Sequence, residues 1–384
     1  MASLPETIKA LQIQLDKTLK VIEIPFASQN LVKNLPEDQI IIRVRAVGLN
    51  PSDWKHAMGP LGRKPGTIAG CDAAGDVVKI GSAVKHLQVG DRASGFTFGG
   101  SFQTNNGAYS EYVRFVAAVC FKLPKSMTYE EAASFPIPHL TAVQAFYMRL
   151  NIPKPLSPSP KRESILIWGG STAVGHHAVQ LAVLSGLKVF VTASVAAHEE
   201  LKVLGAEACF DYKAPGVAKQ IQAAAGEEGI IYGLDTVCEK GSTDVCVDAM
   251  STSRGGNIIT LVHTVSEAIE NRRKDVHVEF EATKNRRKDV HVELILVYTQ
   301  IGSALTLGGF LELPAMPQDK AATLEYVSEY MPRILENWKE GEGTPKFNTQ
   351  RLRHMQGGLE QIHEGLEIMR DGKYSREKLV YTVA

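Results

Sequence analysis

The chain has 384 residues, in which 42 lysines and arginines balance 42 aspartates and glutamates, and 44% of the residues are hydrophobic. This length predicts two domains, or three, and the balanced charge argues against a nucleic-acid partner. The hydrophobic fraction is enough for sizeable cores and excludes a disordered or collagen-like chain.

The five cysteines are widely spaced and form no Cys-x-x-Cys pair, which suits reduced thiols in an intracellular protein. The first residues lack a basic patch followed by an apolar stretch, so no secretory signal is predicted. The uncharged window between Glu293 and Glu312 contains polar residues and glycines, which favour a buried strand and a loop over a membrane helix. We therefore expect a cytoplasmic protein without a membrane partner.

The first 130 residues or so contain short apolar runs separated by turn residues, a pattern typical of an all-β, barrel-like unit. A linker helix and a second helical segment are expected before a proline-rich loop. Strands are predicted over residues 39–46, 74–80 and 109–115, and helices over residues 129–134 and 140–150.

After the proline-rich loop, strands alternate with helices, which is typical of a parallel sheet covered by helices. Six strands make one doubly wound domain. The predicted strands are residues 164–168, 188–193, 208–212, 229–237, 257–262 and 294–301. The predicted helices between them are residues 175–185, 198–204, 217–225 and 243–250.

The C-terminal part is predicted to contain helices over residues 320–338 and 352–370 and a strand over 378–381 that returns to the first domain. The expected fold class is therefore α/β. We expect a catalytic domain of residues 1–136, completed by residues 316–384, and a cofactor domain of residues 137–315.

One segment of nine residues, Asn271 to Glu279, begins again letter for letter 14 residues later, at Asn285. That offset is too short for a solenoid repeat and indicates a local duplication. Because only the second copy runs directly into the predicted strand at Leu294, we interpret residues 271–284 as an exposed charged insertion. A phosphate-binding patch is the weaker alternative.

A glycine-rich turn follows the strand predicted over residues 164–168 and begins a helix, so its backbone N–H groups and the positive helix end face a common point. This order predicts a dinucleotide site. Gly170 and Gly175 hold the outer positions of Gly-x-Gly-x-x-Gly, but Thr172 holds the middle one, where the backbone approaches the pyrophosphate. The predicted contacts are Gly169, Gly170, Ser171, Thr172, Ala173, Val174 and Gly175.

The end of the second strand distinguishes NAD from NADP, because an acidic side chain there binds the ribose 2′-OH and repels a 2′-phosphate. No acidic residue follows that strand before Glu199, and Ser194 can donate to phosphate oxygens. We therefore predict NADPH. His198 is either a partial substitute for a basic residue or a surface histidine.

Six motifs, in order along the chain, resemble the medium-chain dehydrogenase/reductase superfamily. They are VGLNPSDWK (47–55), GCDAAG (70–75), VGDR (89–92), GAYSEY (107–112), HLTA (139–142) and GGSTAVG (169–175). The resemblance covers essentially the whole chain and implies a GroES-like β-barrel catalytic domain followed by a Rossmann domain. Within the superfamily the chain is most similar to the zinc-independent quinone reductases and enoyl reductases, particularly fungal trans-acting enoyl reductases that serve polyketide synthases.

The resemblance also bears on zinc. Zinc-dependent members take a Cys, a His and a further Cys or carboxylate, and the corresponding positions here are Asn50, Cys71 and the neighbourhood of Ile137. Two of these three are not ligand types, and a catalytic zinc needs three protein ligands. We therefore predict no metal, and we interpret Cys71 as a small buried residue.

Several site residues follow from the resemblance. Asn50 is expected to bind the nicotinamide ribose or the substrate carbonyl, and Thr141 is expected beside the nicotinamide. Lys55 is expected to steady an enolate or a substrate phosphate, with a solvated surface lysine as a nearly equal alternative. Asp53 is interpreted as a brace of its turn. Further implied cofactor contacts are Tyr212 near the 2′-phosphate, Leu261 and Val262 beneath the nicotinamide, and Leu307 and Gly309 along its carboxamide.

Together these features predict an NADPH-dependent, metal-free oxidoreductase that transfers hydride to an activated double bond or a quinone. This chemistry tolerates the absence of a metal because hydrogen-bond donors can hold the developing enolate oxygen. Two alternatives stay open: a carbonyl reductase or alcohol dehydrogenase of the same superfamily, and a catalytically quiet NADPH-binding regulatory or structural protein. The expected partner is a small activated alkene, quinone or carbonyl compound, and both a homodimer through the 294–301 edge strand and a monomer stay open.

Overall fold

The computed structural model describes residues 4–16, 18–59, 64–100, 106–157, 160–261, 287–307, 309, 311–336, 338 and 347–383. The chain divides into two compact units. The first contains Met1–Ile137, Tyr298–Glu340 and Asn348–Ala384, and the second contains Pro138–Val297 and Gly341–Phe347. Within the expected cofactor domain of residues 137–315, the stretch from Tyr298 onward belongs to the first unit.

The strands, in chain order, are β1 (Thr7–Ile13), β2 (Leu19–Pro25), β3 (Gln39–Gly48), β4 (Asp72–Ile80), β5 (Arg92–Phe96), β6 (Tyr112–Val116), β7 (Cys120–Lys122), β8 (Ser164–Trp168), β9 (Lys188–Ala193), β10 (Ala208–Asp211), β11 (Tyr232–Asp235), β12 (Gly256–Thr260), β13 (Val290–Leu294), β14 (Leu305–Leu307), β15 (Leu311–Leu313), β16 (Leu352–Met355) and β17 (Lys378–Thr382).

The α-helices are α1 (Asn30–Lys33), α2 (Pro51–Ala57), α3 (Tyr129–Ala133), α4 (Pro136–Val143), α5 (Ala173–Leu184), α6 (His198–Val203), α7 (Val217–Ala225), α8 (Ser242–Ala249), α9 (Pro317–Glu325), α10 (Met331–Leu335) and α11 (Ile362–Arg370). Single turns of π-helix follow α4 and α9, at Gln144–Arg149 and Tyr326–Tyr330. Among the described helices, none is long and apolar enough to cross a membrane.

The first unit is built on a seven-stranded sheet in the order β16-β17-β3-β4-β5-β7, in which β6 also pairs with β3. All of its pairings are antiparallel except β16 with β17. Strand β3 reads as an apolar run because Ile40, Ile41 and Ile42 are all fully buried. The sheet therefore has covered faces on both sides of β3, and β17 returns to this unit as expected.

The second unit is a six-stranded parallel sheet in the order β10-β9-β8-β11-β12-β13. The central strand β8 is buried along its whole length, because helices cover both faces of a parallel sheet. The strand order reverses between β8 and β11, where doubly wound sheets bind ligands outside their carboxyl ends. The predicted α/β fold class is confirmed.

The strand predicted over residues 294–301 is wrong. Strand β13 ends at Leu294, and Val297–Ile301 forms a 3-10 helix. The polar residues of that stretch explain the difference, because the hydroxyl of Thr299 donates to the carboxylate of Asp319 at 2.7 Å. The edge strand of the described sheet on this side is β13, in which residues 290–293 belong to the second copy. The strand expected to pair across a dimer at residues 294–301 is therefore not formed. The insertion at 271–284 lies outside the described residues.

The helix predicted over residues 352–370 is also wrong in its first part. Leu352–Met355 forms strand β16, parallel to β17, and helix α11 begins at Ile362. Gly357 and Gly358 separate the two elements with φ angles of 91° and 58°, a backbone region that favours glycine and interrupts a helix.

Candidate active site

The glycine-rich loop of the second unit connects β8 to α5. A Cβ on Gly170 would lie 2.1 Å from the side chain of Val191 on β9, and a Cβ on Gly175 would lie 2.3 Å from the carbonyl oxygen of Gly169. Both contacts are far inside van der Waals distance. The two outer glycines of the motif are therefore required by the close approach of α5 to the sheet, as a dinucleotide-binding turn demands.

Thr172, at the middle position of the motif, is the N-cap of α5. Its Oγ1 accepts a hydrogen bond from the backbone N–H of Gly175 at 3.0 Å and donates to the hydroxyl of Thr236 at 2.9 Å. Thr236 in turn donates to the carbonyl oxygen of Trp168 at 2.8 Å. The departure from glycine thus gives the helix a cap and fastens the loop to the end of β11, a role that the sequence reasoning missed.

The carboxyl ends of β9 and β10 lie side by side, since Ala193 pairs with Asp211. Ser194 and Tyr212 directly follow these two paired residues, and the exposed Lys213 lies next, with its Nζ 5.6 Å from the centre of the Tyr212 ring. The sequence analysis named Ser194 and Tyr212 but overlooked Lys213, because a lysine after the third strand gives no signal until the strand order is known.

Thr141 lies on α4 and is 5% exposed. The same helix carries His139, whose ring packs edge-on against His177 of α5 at 5.3 Å and against Phe347 at 5.4 Å between centroids. Burial lowers the pKa of His139 to about 3, so this histidine is neutral at physiological pH. This aromatic packing fixes α4, and Thr141 with it, against the first turns of α5.

In the first unit, Asn50 precedes helix α2. The carboxylate of Asp53 accepts a hydrogen bond from the backbone N–H of Asn50 at 2.7 Å and another from the hydroxyl of Tyr109 at 2.8 Å. Burial raises the pKa of Asp53, and the two donors oppose that rise. These contacts match the interpretation of Asp53 as a brace of the turn.

The side chain of Asn50 belongs to a buried polar network with Asp72 and Lys378. Its Nδ2 donates to the carboxylate of Asp72 at 2.8 Å, and its Oδ1 accepts from the ammonium of Lys378. Lys378 Nζ lies 3.8 Å from Asp72 Oδ2, and the two side chains are 4% and 0% exposed. Burial lowers the pKa of Lys378 and raises that of Asp72. The sequence analysis found neither Asp72 nor Lys378 as members of the site.

The donor set around Asn50 does not fit zinc. The amide of Asn50 and the carboxylate of Asp72 are bonded to each other and to an ammonium group. The Cys71 sulfur lies 3.3 Å from the hydroxyl of Tyr298, and burial raises the pKa of its thiol well above the usual value. Ile137, near the third ligand position, contributes a backbone N–H to Asp72. No group of three or more potential ligands occurs among the residues that the structure describes.

The remaining predicted residues lie in both units. Lys55 is half-buried on α2, with its Nζ 5.8 Å from the centre of the Trp54 ring. Leu261 follows β12, and its backbone N–H donates to the Cys238 sulfur at 3.1 Å. Leu307 ends β14 in the first unit, and Gly309 follows with a φ of 79°. Val262 lies outside the described residues.

Comparison with known proteins agrees with this architecture. The alcohol dehydrogenase GroES-like domain matches residues 36–125, and the zinc-binding dehydrogenase domain matches residues 173–268. Trans-enoyl reductase ACTTS2 of Alternaria alternata is 34% identical over 381 residues, covering 98% of this chain and 99% of the relative. Trans-enoyl reductase caaB of Aspergillus niger is 33% identical over 362 residues, covering 92% of each chain.

Among solved structures, the CurK enoyl reductase covers 99% of this chain and all of its own, with a TM-score of 0.70 and 20% identity, which supports the fold. The identity to the fungal relatives over nearly the whole length shows the family, which uses a nicotinamide cofactor and transfers hydride to an alkene. The resemblance inferred from the six motifs is confirmed. The chain belongs to the medium-chain dehydrogenase/reductase superfamily, as a reductase similar over its whole length to fungal trans-enoyl reductases.

Proposed function

We propose that this protein is an NADPH-dependent, metal-free reductase that adds hydride to the β-carbon of a double bond conjugated to a carbonyl, with an enoyl thioester as the preferred substrate. The observation that carries the proposal is the network of Asn50, Asp72 and Lys378. Around Asn50, the first position that corresponds to a zinc ligand, the amide and the Asp72 carboxylate are bonded to the ammonium of Lys378, which supports a metal-free site.

The chemistry asks the chain to hold the carbonyl oxygen of the substrate while negative charge develops on it. The bound reduced nicotinamide supplies the hydride. Hydrogen-bond donors aimed at the enolate oxygen stabilise it, and an activated alkene needs less electrophilic help than an isolated ketone. We assign Lys55 as a donor of this kind and keep Thr141 as the residue beside the nicotinamide.

Asn50 takes a different role in the proposal from the one expected. Its amide is 2% exposed, donates to Asp72 and accepts from Lys378. We therefore assign it as a positioning residue that fixes the start of α2, the helix on which Lys55 lies. Replacement of Asn50 should alter kcat through the placement of α2 and leave the identity of the cofactor unchanged.

The preference for NADPH rests on the ends of β9 and β10. No acidic side chain follows Ala193 on β9 before Glu199, Ser194 is half-buried, and the neighbouring Lys213 is an exposed cation. A 2′-phosphate would gain a charge-assisted contact there, whereas the NAD-type acidic partner is missing. Tyr212, beside Lys213, supplies a ring and a hydroxyl for the adenosine end.

Consumption of NADPH tests the reaction. We expect turnover with an enoyl thioester and weaker turnover with a simple enone or a quinone. If all three substrates fail while NADPH binds, the proposal is wrong and the catalytically quiet alternative gains support. Stoichiometric zinc in the active protein would favour a carbonyl reductase or alcohol dehydrogenase instead.

A pair of variants tests the cofactor. Ser194→Asp places a carboxylate where the 2′-phosphate is proposed to lie, and should lower the ratio of kcat/KM for NADPH over NADH at least about tenfold, which corresponds to ~1.4 kcal/mol. Ser194→Ala is the matched control and should change that ratio much less. Equal ratios in the two variants would place the 2′-phosphate elsewhere.

A further inference from the structure

The first unit contains a cavity of about 130 Å³ between the start of β3, the carboxyl end of β5, strand β6 and the segment that precedes β14. This volume is well above the ~10–15 Å³ that one water needs. Its polar lining consists of Gln39, Thr97, Asn106, Arg114 and Ser303. Neither the proposed reaction nor the sequence analysis assigns a role to this cavity.

Arg114 is the charged group of the lining, and it is 9% exposed. The side chain of Asn106 binds the backbone of Arg114: it donates to the Arg114 carbonyl oxygen at 2.8 Å and accepts from the Arg114 N–H at 3.2 Å. The guanidinium itself makes no hydrogen bond, ion pair or aromatic contact within the part of the chain that the structure describes. Burial lowers the pKa of Arg114.

An uncompensated buried cation is costly. Buried charges in proteins are normally paired or hydrogen-bonded, and an unpaired one costs several kcal/mol. Lysine or histidine can escape this cost by losing a proton, but an arginine stays charged in proteins. The guanidinium of Arg114 thus has no countercharge among the described residues, and the cavity beside it has room for an anion.

We propose that Arg114 and the polar groups around it form a binding site for an oxyanion, either a carboxylate or a phosphate group. A guanidinium recognises such groups with two parallel N–H donors. The hydroxyl of Thr97 accepts from Asn106 at 2.9 Å, which leaves its own O–H to donate toward the cavity. Ser303 is exposed and provides a second hydroxyl on the lining.

The aromatic wall of the cavity leads to Cys71, the residue before Asp72. Phe96 and Phe98 line the cavity, and both pack against the ring of Tyr298, at 6.1 and 4.4 Å between centroids. The hydroxyl of Tyr298 in turn reaches the sulfur of Cys71. The oxyanion at Arg114 can be either a free small anion or a charged group of the substrate. The experiments below distinguish these two ligands.

Thermal unfolding tests the site without any assay of activity. The variants are Arg114→Met and the control Arg43→Met, which removes an exposed arginine from the neighbouring strand β3. Inorganic phosphate and acetate are each titrated at constant ionic strength, with chloride as the balancing anion. A ligand that binds only the folded protein raises its melting temperature.

We expect phosphate or acetate to raise the melting temperature of the wild type and of Arg43→Met by at least ~2 °C, and to leave Arg114→Met unchanged. Without added anion, Arg114→Met should melt no lower than the wild type, because it loses an unpaired charge. A wild type that responds to neither anion, or an Arg114→Met variant that responds equally, overturns the proposal.

Kinetics with two thioesters then identify the source of the oxyanion. This second experiment rests on the proposed reductase function. An enoyl coenzyme A ester carries phosphates, and the matched enoyl N-acetylcysteamine ester carries none. If the oxyanion belongs to the substrate, Arg114→Met raises KM at least about tenfold for the coenzyme A ester alone. If a free anion is the ligand, both esters respond alike. Failure of turnover would refute the reductase and leave the melting result standing.

Discussion

The ammonium of Lys378 donates a hydrogen bond to the side-chain oxygen of Asn50, across 328 residues of sequence. Strand β17 begins at Lys378 and pairs antiparallel with β3, with Val380 opposite Gly48. This pairing brings the ammonium to Asn50, the residue in front of α2. The first and last parts of the chain are thus joined through a buried cation that also lies 3.8 Å from Asp72.

Replacement of Lys378 by methionine should destabilise the protein strongly. The variant keeps the length of the side chain but leaves the carboxylate of Asp72 buried without its cation, a change that typically costs about 3–5 kcal/mol. Urea denaturation at about pH 8.5 measures it. The control is Lys373→Met, because Lys373 forms an exposed ion pair with Asp371 and should cost less than ~1 kcal/mol.

The pH dependence separates this cause from a simple loss of packing. Burial raises the pKa of Asp72 to about 7, and loss of the cation should raise it further. A carboxyl group whose pKa is higher in the folded protein stabilises the fold as pH falls through the window between about 7 and about 3.8. The destabilisation in Lys378→Met should therefore shrink at about pH 5.5, whereas a pH-independent loss would contradict the paired charge.

Replacement of Thr172 tests whether the middle position of the glycine motif acts as a helix cap. Thr172→Ala removes the acceptor for the Gly175 N–H and the donor to Thr236, and should cost ~1 kcal/mol of unfolding free energy. Thr172→Ser keeps the hydroxyl and should lie within a few tenths of the wild type. Urea denaturation of both variants decides the point, and equal losses would show that the hydroxyl is not needed.

The elements that the sequence predicted best are those whose pattern depends on nearby residues. Strands β8 and β9 have the predicted bounds because each is a continuous buried run between turn residues. Strand β16 falls inside the helix predicted over residues 352–370, a prediction that rests on the helical period of Leu359 to Met369, and only pairing with β17 makes it a strand. Pairing between distant segments leaves little local signal.

The same reasoning explains which parts of the candidate site were found. The glycine loop and Ser194 are recognisable from spacing within one strand–turn–helix unit. Asp72 and Lys378 are not recognisable in this way, because they belong to the site only through their buried contacts with Asn50 and with each other. The sequence around Arg114 predicts a strand and gives no sign of a ligand site. The buried position of Arg114 beside a cavity is known only from the structure.

The buried His139 should make stability depend on pH. Its pKa is about 3 in the folded protein and near 6.5 when exposed, so the unfolded chain binds a proton that the folded chain does not. Stability is therefore lost as pH falls from about 6.5 toward about 3, at roughly 1.4 kcal/mol per pH unit from this residue. His139→Phe should flatten the dependence in urea denaturation, and the exposed-residue variant His354→Gln should not.

The duplicated segment provides a pair of arginines with identical neighbours, Arg273 in the first copy and Arg287 in the second. Arg287 donates to the carbonyl oxygens of Met250 and Ser251, at 3.0 and 2.7 Å, just after α8. Residues 290–293 of the second copy also form most of strand β13, which pairs with β12. The second copy therefore contributes to the described sheet.

Removal of residues 271–284 should consequently leave the sheet and its dinucleotide site intact, with NADPH affinity changed by less than ~1 kcal/mol. Arg287→Ala should cost about 1–2 kcal/mol of unfolding free energy, because it removes the guanidinium hydrogen bonds to the carbonyl groups at the end of α8. Arg273→Ala should change it by less than ~0.5 kcal/mol, the value expected of the exposed insertion that the sequence predicts. Urea denaturation and NADPH titration measure both quantities. Equal losses in the two arginine variants would mean that both copies support the fold, and that residues 271–284 are not a dispensable insertion.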